Sequence, residues 1–550
     1  MTLNSNQRTL ILILFYFFSS ILALTTYQDY GIHIEEKFHR LNGFYWLNYT
    51  SNLFGFSEIQ KIAEIKMNEI SDFSLSSVSH YNKYSVLLDL PSALVEILFK
   101  INDVKNIYYL KHLFSFFLFL VSSIFFFKIL YFRYKNFLLS FLGLFLYVTT
   151  PRILGDSFLY KDVLFLSIFS ITFYFLIRSI HQFNYKNLLL FGIFCSLSLN
   201  LRFFSILIPF FFVLAILIKS FGSKQFKENF KKIFFYLLCF FISLYIFWPY
   251  LWANPIINFI DLFISAKNNL VDVKIFYNND FISNRILPDT YILNWIFLTT
   301  PFLQTIFFIL GFFYCVFRFI RRYININDRT FQNDLWRGNA EKIDFIFLIY
   351  LALFYFFFIF LNAPFYNGWR LVYFFNIFLI YFAINFLFNF TNIFRKKKSY
   401  IILIFVSFIL MIYNIKAIIK IHPFQSLYFN SFISEKIKNS YEGDYYGLAT
   451  KHFFERILNN DNKKIIKVGV ASHTPIQRGL EAISNQFRNK FVIVGQEYNK
   501  ADYIFKNNIS EVNSNLVKKY QIPKNFSKIY ELKIDKIVIY EMFKITANKQ

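Results

Sequence analysis

Ionisable residues of both signs stand directly beside long apolar stretches of this sequence. The segment Tyr27–Gly43, YQDYGIHIEEKFHRLNG, follows the first apolar run and contains the adjacent acids Glu35 and Glu36. A carboxylate can remove a proton from a hydroxyl or an amine, and arginine or lysine can stabilise charge on a phosphate leaving group. An ionisable group at membrane depth costs about 2.5–3.5 kcal/mol on insertion scales, so a cluster of such groups predicts a functional site.

Eight residues form this candidate site, because most of them lie near the end of an apolar run and all lie on the same predicted side of a membrane. The candidate catalytic acids are Glu35, Glu36 and Asp156, and the candidate phosphate or substrate contacts are Arg152, Lys161, Asp162, Arg202 and Arg370. Simpler interpretations stay open for each of them. An acid at a span end can be a solvated interface residue, a lysine next to an aspartate can pair with it, and an arginine can extend to the interface.

The composition predicts a membrane protein with several spans. The chain has 550 residues, of which 56% are hydrophobic and 23% aromatic, with a mean hydropathy of +0.42. A soluble protein this apolar could not cover its surface with polar groups. The three cysteines all lie inside apolar runs and provide neither a disulfide framework nor a metal-ligand spacing.

Eleven apolar runs predict about eleven transmembrane helices. They are 10–26, 108–130, 136–150, 161–177, 187–200, 203–218, 233–251, 294–317, 344–361, 370–390 and 400–418. Alternate loops between them are rich in lysine and arginine, which predicts a cytoplasmic N-terminus. The expected location is the cell (inner) membrane. The candidate site and the C-terminal tail then lie on the extracytoplasmic side. Much of the net charge of +25 follows from this topology, so no nucleic-acid partner is expected.

Three regions lie outside the apolar runs of a transmembrane domain that we assign to residues 1–418. The first outer loop, 28–107, contains two segments with apolar residues at helical spacing, Ser57–Ile70 and Leu90–Ile101. This spacing predicts amphipathic helices on the membrane surface. The second large outer loop is 252–293. The tail, 419–550, contains short β-type runs, KIIKVGVAS, KFVIVGQ, ADYIFKN and DKIVIYEMF, that predict a small α/β domain.

Cofactor motifs are absent from the sequence. No glycine-rich nucleotide-binding motif occurs. The group His33, Glu35, Glu36 and His39 lacks further ligands at a fixed spacing, so a divalent metal is possible but not supported. The segment WPYLW, Trp248–Trp252, fits an aromatic belt at the interface better than a platform for a sugar ring.

Six segments in order resemble the bacterial membrane glycosyltransferases related to the protein O-mannosyltransferases, which are glycosyltransferase family 39 of the GT-C fold. They are DYGIHIEEKFHRLNG, TPRILGDSFLYKDVLFLSIF, FWPYLWANPI, NWIFLTTPF, YNGWRLVYFFNIFLIY and IHPFQSLYFN, within residues 27–447. The family pattern usually begins its acidic pair with aspartate and reads Asn-Pro-Lys-Asp where this chain reads Leu-Tyr-Lys-Asp. Lys161 and Asp162 therefore match the pattern, and the residues before them do not.

The resemblance implies a GT-C fold and an inverting transfer on the extracytoplasmic side. The implied donor is a polyprenyl-phosphate-linked sugar, and the acceptor can be a lipid, a glycan or a protein. The resemblance also implies that an acid of the pair Glu35–Glu36 is the general base, with Asp156 orienting the acceptor. The four basic residues and Asp162 would contact the donor or its phosphate, and membrane lipids would be further partners.

Two other classes of function compete with a transferase. A flippase or polymerase for lipid-linked saccharides would also combine spans with basic residues, but would not need acids concentrated in one outer loop. An ion-coupled transporter should place charges in the middle of its spans and break paired spans with glycine or proline. Here the charges concentrate at the ends of the runs.

Overall fold

The structure is a computed structural model and consists mainly of helices. It describes residues 4–70, 83, 85–159, 161–222, 224–268, 272–324, 338–393, 397–507 and 516–546. The α-helices of these ranges are α1 Ser5–Thr26, α2 Glu36–Phe54, α3 Ser57–Ile70, α4 Asp89–Leu98, α5 Val104–Tyr134, α6 Phe137–Thr149, α7 Pro151–Ser157, α8 Asp162–His181, α9 Tyr185–Leu201, α10 Leu207–Ser220, α11 Phe226–Phe247, α12 Pro255–Asn268, α13 Tyr291–Thr299, α14 Phe302–Ile324, α15 Gly338–Phe360, α16 Phe375–Ile393, α17 Lys397–Ile421, α18 Glu435–Lys438, α19 Ala449–Asn460, α20 Gln477–Ala482 and α21 Asn485–Arg488.

Eight helices in the described ranges are long and apolar enough to cross a membrane, which agrees with a multi-pass membrane protein. The number becomes nine if α6 and α7, which meet at a bend of 60°, form one broken span. Two further predicted runs coincide with the shorter helices α9 and α16. The prediction of about eleven spans therefore remains a prediction.

The helix α8 is the centre of the helical bundle. Its residues Phe165, Phe169 and Phe173 recur every four positions and are all buried. Phe169 packs against Phe374, with ring centroids 4.5 Å apart, and Phe173 packs edge-on against Phe347 at 4.9 Å. Because Asp162 is the first residue of this packed helix, the aromatic core determines where that carboxylate lies.

Polar contacts divide the bundle into two ends. At one end, which we call the basic end, Arg133 of α5 binds Asp344 of α15, and Arg318 of α14 binds Glu341. The other end carries both outer loops and the C-terminal region, and we call it the loop end. The residues Lys161, Arg202 and Arg370 all lie at the loop end, as the alternation of loops predicts.

The described part of the first outer loop folds into a small helical cluster. Residues Ala63, Met67 and Ile70 of α3 are buried against α2, and Ile59 packs beside them, so the packed side contains two residues of the predicted isoleucine face. Ile62 and Ile65 point outwards and are exposed. Both predicted segments are helical, and Ala63 and Met67 share the packed side of α3 with two of its isoleucines. The position of these helices on a membrane surface stays a prediction.

Polar groups of α2 hold the first outer loop together. Arg40 makes two hydrogen bonds to Glu96 of α4, at 2.9 and 2.5 Å, with both side chains buried. His39 lies 3.1 Å from Asp89, which also accepts a hydrogen bond from the amide of Asn42 at 2.7 Å. These contacts fix α2 relative to α4 without a large apolar core.

The second outer loop contains a β-hairpin that the sequence analysis missed. Strand β1, Lys274–Tyr277, pairs antiparallel with β2, Asp280–Ser283, through a turn at Asn278 and Asn279. Both asparagines have positive φ values, as the tight hairpin turn requires. Beyond the hairpin, Tyr277 forms a β-bridge with Tyr441 of the C-terminal region.

The C-terminal region forms a five-stranded mixed sheet. Its strands are β3 Ile466–Val470, β4 Phe491–Gly495, β5 Tyr503–Lys506, β6 Phe526–Ile534 and β7 Ile537–Ile545, in the spatial order β4-β3-β5-β7-β6. The four predicted β-type runs are confirmed as β3, β4, β5 and β7. Strand β6 was missed, because its hairpin turn at Asp535 and Lys536 lacks the glycine that usually signals such a turn.

This region contacts the first outer loop closely. The backbone of Gly31 passes so near Leu448 that a Cβ atom at position 31 would lie 2.2 Å from the Leu448 carbonyl oxygen. Lys451 of α19 donates to the carbonyl oxygens of Gln28 and Asp29. The start of the C-terminal region is thereby fixed to the loop that carries the acidic pair.

We expect Glu96→Leu to destabilise the protein, because it leaves the Arg40 charge buried without its partner. Losing one member of a buried ion pair costs about 3–5 kcal/mol. The double variant Arg40→Met/Glu96→Leu should recover most of that stability. Thermal unfolding in detergent measures both, and equal destabilisation by the single and double variants would contradict this role of the pair.

Candidate active site

Glu35 and Arg370 form the central ion pair at the loop end. Arg370 Nη2 donates to Glu35 Oε1 at 2.7 Å, and Arg370 Nη1 lies 3.1 Å from His33 Nε2. The Glu35 side chain is 33% exposed, whereas that of Arg370 is 1% exposed. Burial alone would raise the pKa of Glu35, but Arg370, His33 and Lys161 hold this pKa well below its usual range. Glu35 is therefore an ionised carboxylate that solvent can reach.

A sharp turn presents Arg370 to the site. Asn367 and Gly368 both have positive φ values, of 63° and 72°. The positive φ favours glycine at position 368, where a Cβ atom would lie 3.0 Å from Arg152 Nη1. Above the turn, the Arg370 guanidinium lies over the rings of Tyr366 and Tyr445, at 4.8 and 5.0 Å.

Lys161, Asp162 and Arg202 extend the charged group beside Arg370. Arg202 forms a short ion pair with Asp162, and Arg370 Nη1 lies 3.6 Å from the other oxygen of Asp162. Lys161 has a φ of 104°, a strained value for a residue with a side chain. Burial and the charge of Arg202 lower the pKa of Lys161 to about 8, although Glu35 and Asp162 act in the opposite direction. These residues and Glu35 form one group, which we call the charge cluster.

Glu36 has a different environment from Glu35. Its side chain is 1% exposed, and its Oε1 accepts from the backbone N–H of His33 at 3.0 Å and contacts His112 Nε2 at 2.9 Å. Burial raises the pKa of Glu36, but His112 and the His33 N–H outweigh burial and lower it overall. Glu36 therefore connects the start of α2 to α5 and does not face solvent.

Asp156 and Arg152 lie on the other side of Tyr446 from the charge cluster. The hydroxyl groups of Tyr373 and Tyr446 donate to Asp156 Oδ2 at 2.5 and 3.0 Å, and Asp156 is 2% exposed. Arg152 is also buried and faces the rings of Trp295 and Phe429 at 5.3 and 5.8 Å. Its Nε atom has no hydrogen-bond partner within the described ranges. Asp156 is therefore not in direct contact with Glu35.

Three residues of the site were not among the eight predicted ones. His33 lies between Glu35 and Arg370, and burial lowers its pKa to about 4, so its imidazole is neutral at pH 7. Tyr445 and Tyr446 come from the C-terminal region, which carried no motif. The two tyrosines follow the sequence Glu-Gly-Asp in a polar stretch that matches no motif. Their relation to His33 and Glu35, more than 400 positions earlier, is visible only in the folded structure.

The residues considered for a metal are used in other contacts. His39 contacts Asp89, His33 contacts Arg370, and Glu36 contacts His112. Within the described ranges, no three or more His, Cys, Asp or Glu side chains are arranged to hold a metal ion. The charge cluster instead combines one accessible carboxylate with three cationic side chains, which suits proton removal beside an anion.

Comparisons with known proteins do not assign the chain to a family. No protein-family model matches it. No curated protein matches it.

We expect Tyr446→Phe to reduce stability by about 1–3 kcal/mol, because Asp156 loses one of its two hydroxyl donors while buried. Tyr445→Phe is the matched control, because the two hydroxyl groups that donate to Asp156 are those of Tyr373 and Tyr446. Thermal unfolding of the purified variants in detergent compares them. Equal stability of the two variants would show that Tyr446 does not support Asp156.

Proposed function

We propose that the protein is a membrane glycosyltransferase that moves a sugar from a polyprenyl-phosphate donor to an extracytoplasmic acceptor, with inversion at the sugar carbon. One observation carries the proposal. The accessible Glu35 carboxylate lies in one cluster with Lys161, Arg202 and Arg370, at one end of an apolar helical bundle. The phosphate of a lipid-linked sugar lies in the head-group region of a membrane, next to the ends of spanning helices. The resemblance in the sequence to family 39 supports the same reaction.

In the proposed step, Glu35 accepts the proton of the acceptor hydroxyl or amine. The acceptor atom forms a bond to the anomeric carbon of the sugar, and the bond from that carbon to the phosphate oxygen breaks. The electron pair of the broken bond remains on the polyprenyl phosphate. Arg370, Lys161 and Arg202 stabilise this developing negative charge, which contributes more in a partly desolvated site than it would in water.

Donor binding would also increase the basicity of Glu35. In the free protein, Arg370 donates directly to Glu35, and this bond lowers the proton affinity of the carboxylate. An incoming phosphate offers Arg370 an alternative anionic partner, because two phosphate oxygens can accept the two parallel hydrogen bonds of the planar guanidinium. As the Arg370 charge is shared with the phosphate, the pKa of Glu35 rises towards the range in which a carboxylate is a useful base.

Asp156 and Arg152 have supporting positions in this proposal. Asp156 orients Tyr446, whose ring lies over Arg370 at 5.5 Å, so the carboxylate acts through a tyrosine. Arg152 faces the small cavity next to Gly368 and Tyr445, adjacent to the charge cluster. We retain Arg152 as a contact to the donor head group. We place the loop end on the extracytoplasmic side of the inner membrane, with the N-terminus in the cytoplasm.

Glu35→Gln should lower turnover of a polyprenyl-phosphate sugar by about 100-fold or more, because loss of a general base typically costs 10²–10⁴-fold. Glu36→Gln should mainly reduce thermal stability, because it weakens the contact with His112. Glu58→Gln, at an exposed position on α3, is the control for carboxylate loss. Turnover is followed by release of polyprenyl phosphate, and wild-type turnover in Glu35→Gln would disprove the role of this base.

The alkaline limb of the pH profile should report Lys161. A lysine whose pKa is about 8 loses its charge as pH rises through 8, so donor capture should weaken there. We expect kcat/KM to fall above pH 8 in the wild type. In Lys161→Arg the fall should move beyond pH 9, because arginine stays charged. An unchanged alkaline limb in Lys161→Arg would exclude Lys161 as its source.

A further inference from the structure

A cavity of about 190 Å³ opens between α5 and α8 at the basic end of the bundle. Its walls include Phe127, Tyr131 and Tyr174, and its charged residues are Lys128, Lys135 and Arg178. Arg178 follows Asp162 by sixteen residues on α8, which is about 24 Å along a helix axis. The cavity is thus separate from the charge cluster.

The cavity combines apolar walls with cations and has no acid in its lining. Lys128 lies over the rings of Phe125 and Tyr174 at 5.2 and 5.9 Å, and Lys135 lies over Phe132 at 4.8 Å. Arg178 donates to the neutral side chain of Gln182 at 2.8 Å. Within the described ranges, none of the three cations forms an ion pair with a carboxylate. Elsewhere at the same end, Arg133 and Arg318 both have one.

More positive charge surrounds this position. The imidazole of His181, at the end of α8, packs against Phe132 with centroids 5.0 Å apart, and neither of its ring nitrogens has a hydrogen-bond partner in the described ranges. The charged groups that act on His181 are Lys342, Arg178 and Lys219, all of them cations. Like charges held together repel each other, so an anion between them would be favourable.

We propose that this cavity binds the head group of an anionic phospholipid, with the phosphate between Lys128, Lys135 and Arg178. The apolar walls between two span-length helices would contact the upper part of the acyl chains. Basic cavities between transmembrane helices suit anionic lipid head groups for this reason, and each nearby lysine or arginine contributes about 1 kcal/mol to such binding. The proposal does not depend on the glycosyltransferase reaction.

The test uses the full-length protein, purified in detergent and stripped of lipid. Native mass spectrometry measures binding of dioleoyl phosphatidylglycerol and, separately, of zwitterionic dioleoyl phosphatidylcholine. The variant Lys128→Gln/Lys135→Gln/Arg178→Gln removes the cavity's charge. The matched control Lys224→Gln/Lys227→Gln/Lys231→Gln removes three exposed lysines around the start of α11, outside the cavity lining.

The wild type and the control should bind phosphatidylglycerol at least about 10-fold more tightly than phosphatidylcholine, and the triple variant should lose this preference. Each single substitution should weaken phosphatidylglycerol binding by about five-fold, so the single variants decide the matter if the triple variant fails to fold. An unchanged preference in the variants would overturn the proposal. An equal loss in the control would also overturn it, because general surface charge would then explain the binding.

Discussion

The buried charge of Arg370 is the constraint on which the loop end of this protein depends. A guanidinium group keeps its charge at every working pH, and removing it from water is costly unless anions and hydrogen-bond partners surround it. Glu35 comes from the first outer loop, Asp162 from the start of α8, and the covering rings of Tyr445 and Tyr446 from the C-terminal region. A single side chain thereby requires three distant parts of the chain to meet.

A second set of buried polar contacts explains how the two adjacent acids acquire different environments. Glu36 is the first residue of α2, and its contact with His112 fixes the start of that helix against α5. One turn later, Arg40 connects the same helix to Glu96. With α2 held on both sides, the preceding residue Glu35 has to project from the end of the helix towards Arg370. Burial of one acid therefore positions the other.

Much of this architecture was predictable from local patterns, and the rest depended on long-range contacts. Apolar length predicted the spanning helices, and β-type runs predicted four of the five C-terminal strands. Proximity to span ends selected Glu35, Lys161, Asp162, Arg202 and Arg370, which the structure brings into one cluster. The distinction between Glu35 and Glu36 was not predictable, because it depends on His112, a histidine inside an apolar run. Tyr446 was missed because its role also depends on a long-range contact: its partner Asp156 is 290 residues away.

The position of Tyr445 and Tyr446 also bears on what the C-terminal region does. The segment that carries them is held from three directions: by the hairpin of the second outer loop through Tyr441, by the close approach of Gly31 to Leu448, and by the hydrogen bond from Ile34 to Tyr446. The sheet begins only after α19, whose first N–H groups are capped by Asp444. Both outer loops therefore hold the segment whose rings cover Arg370, and the C-terminal region contributes this cover to the charge cluster.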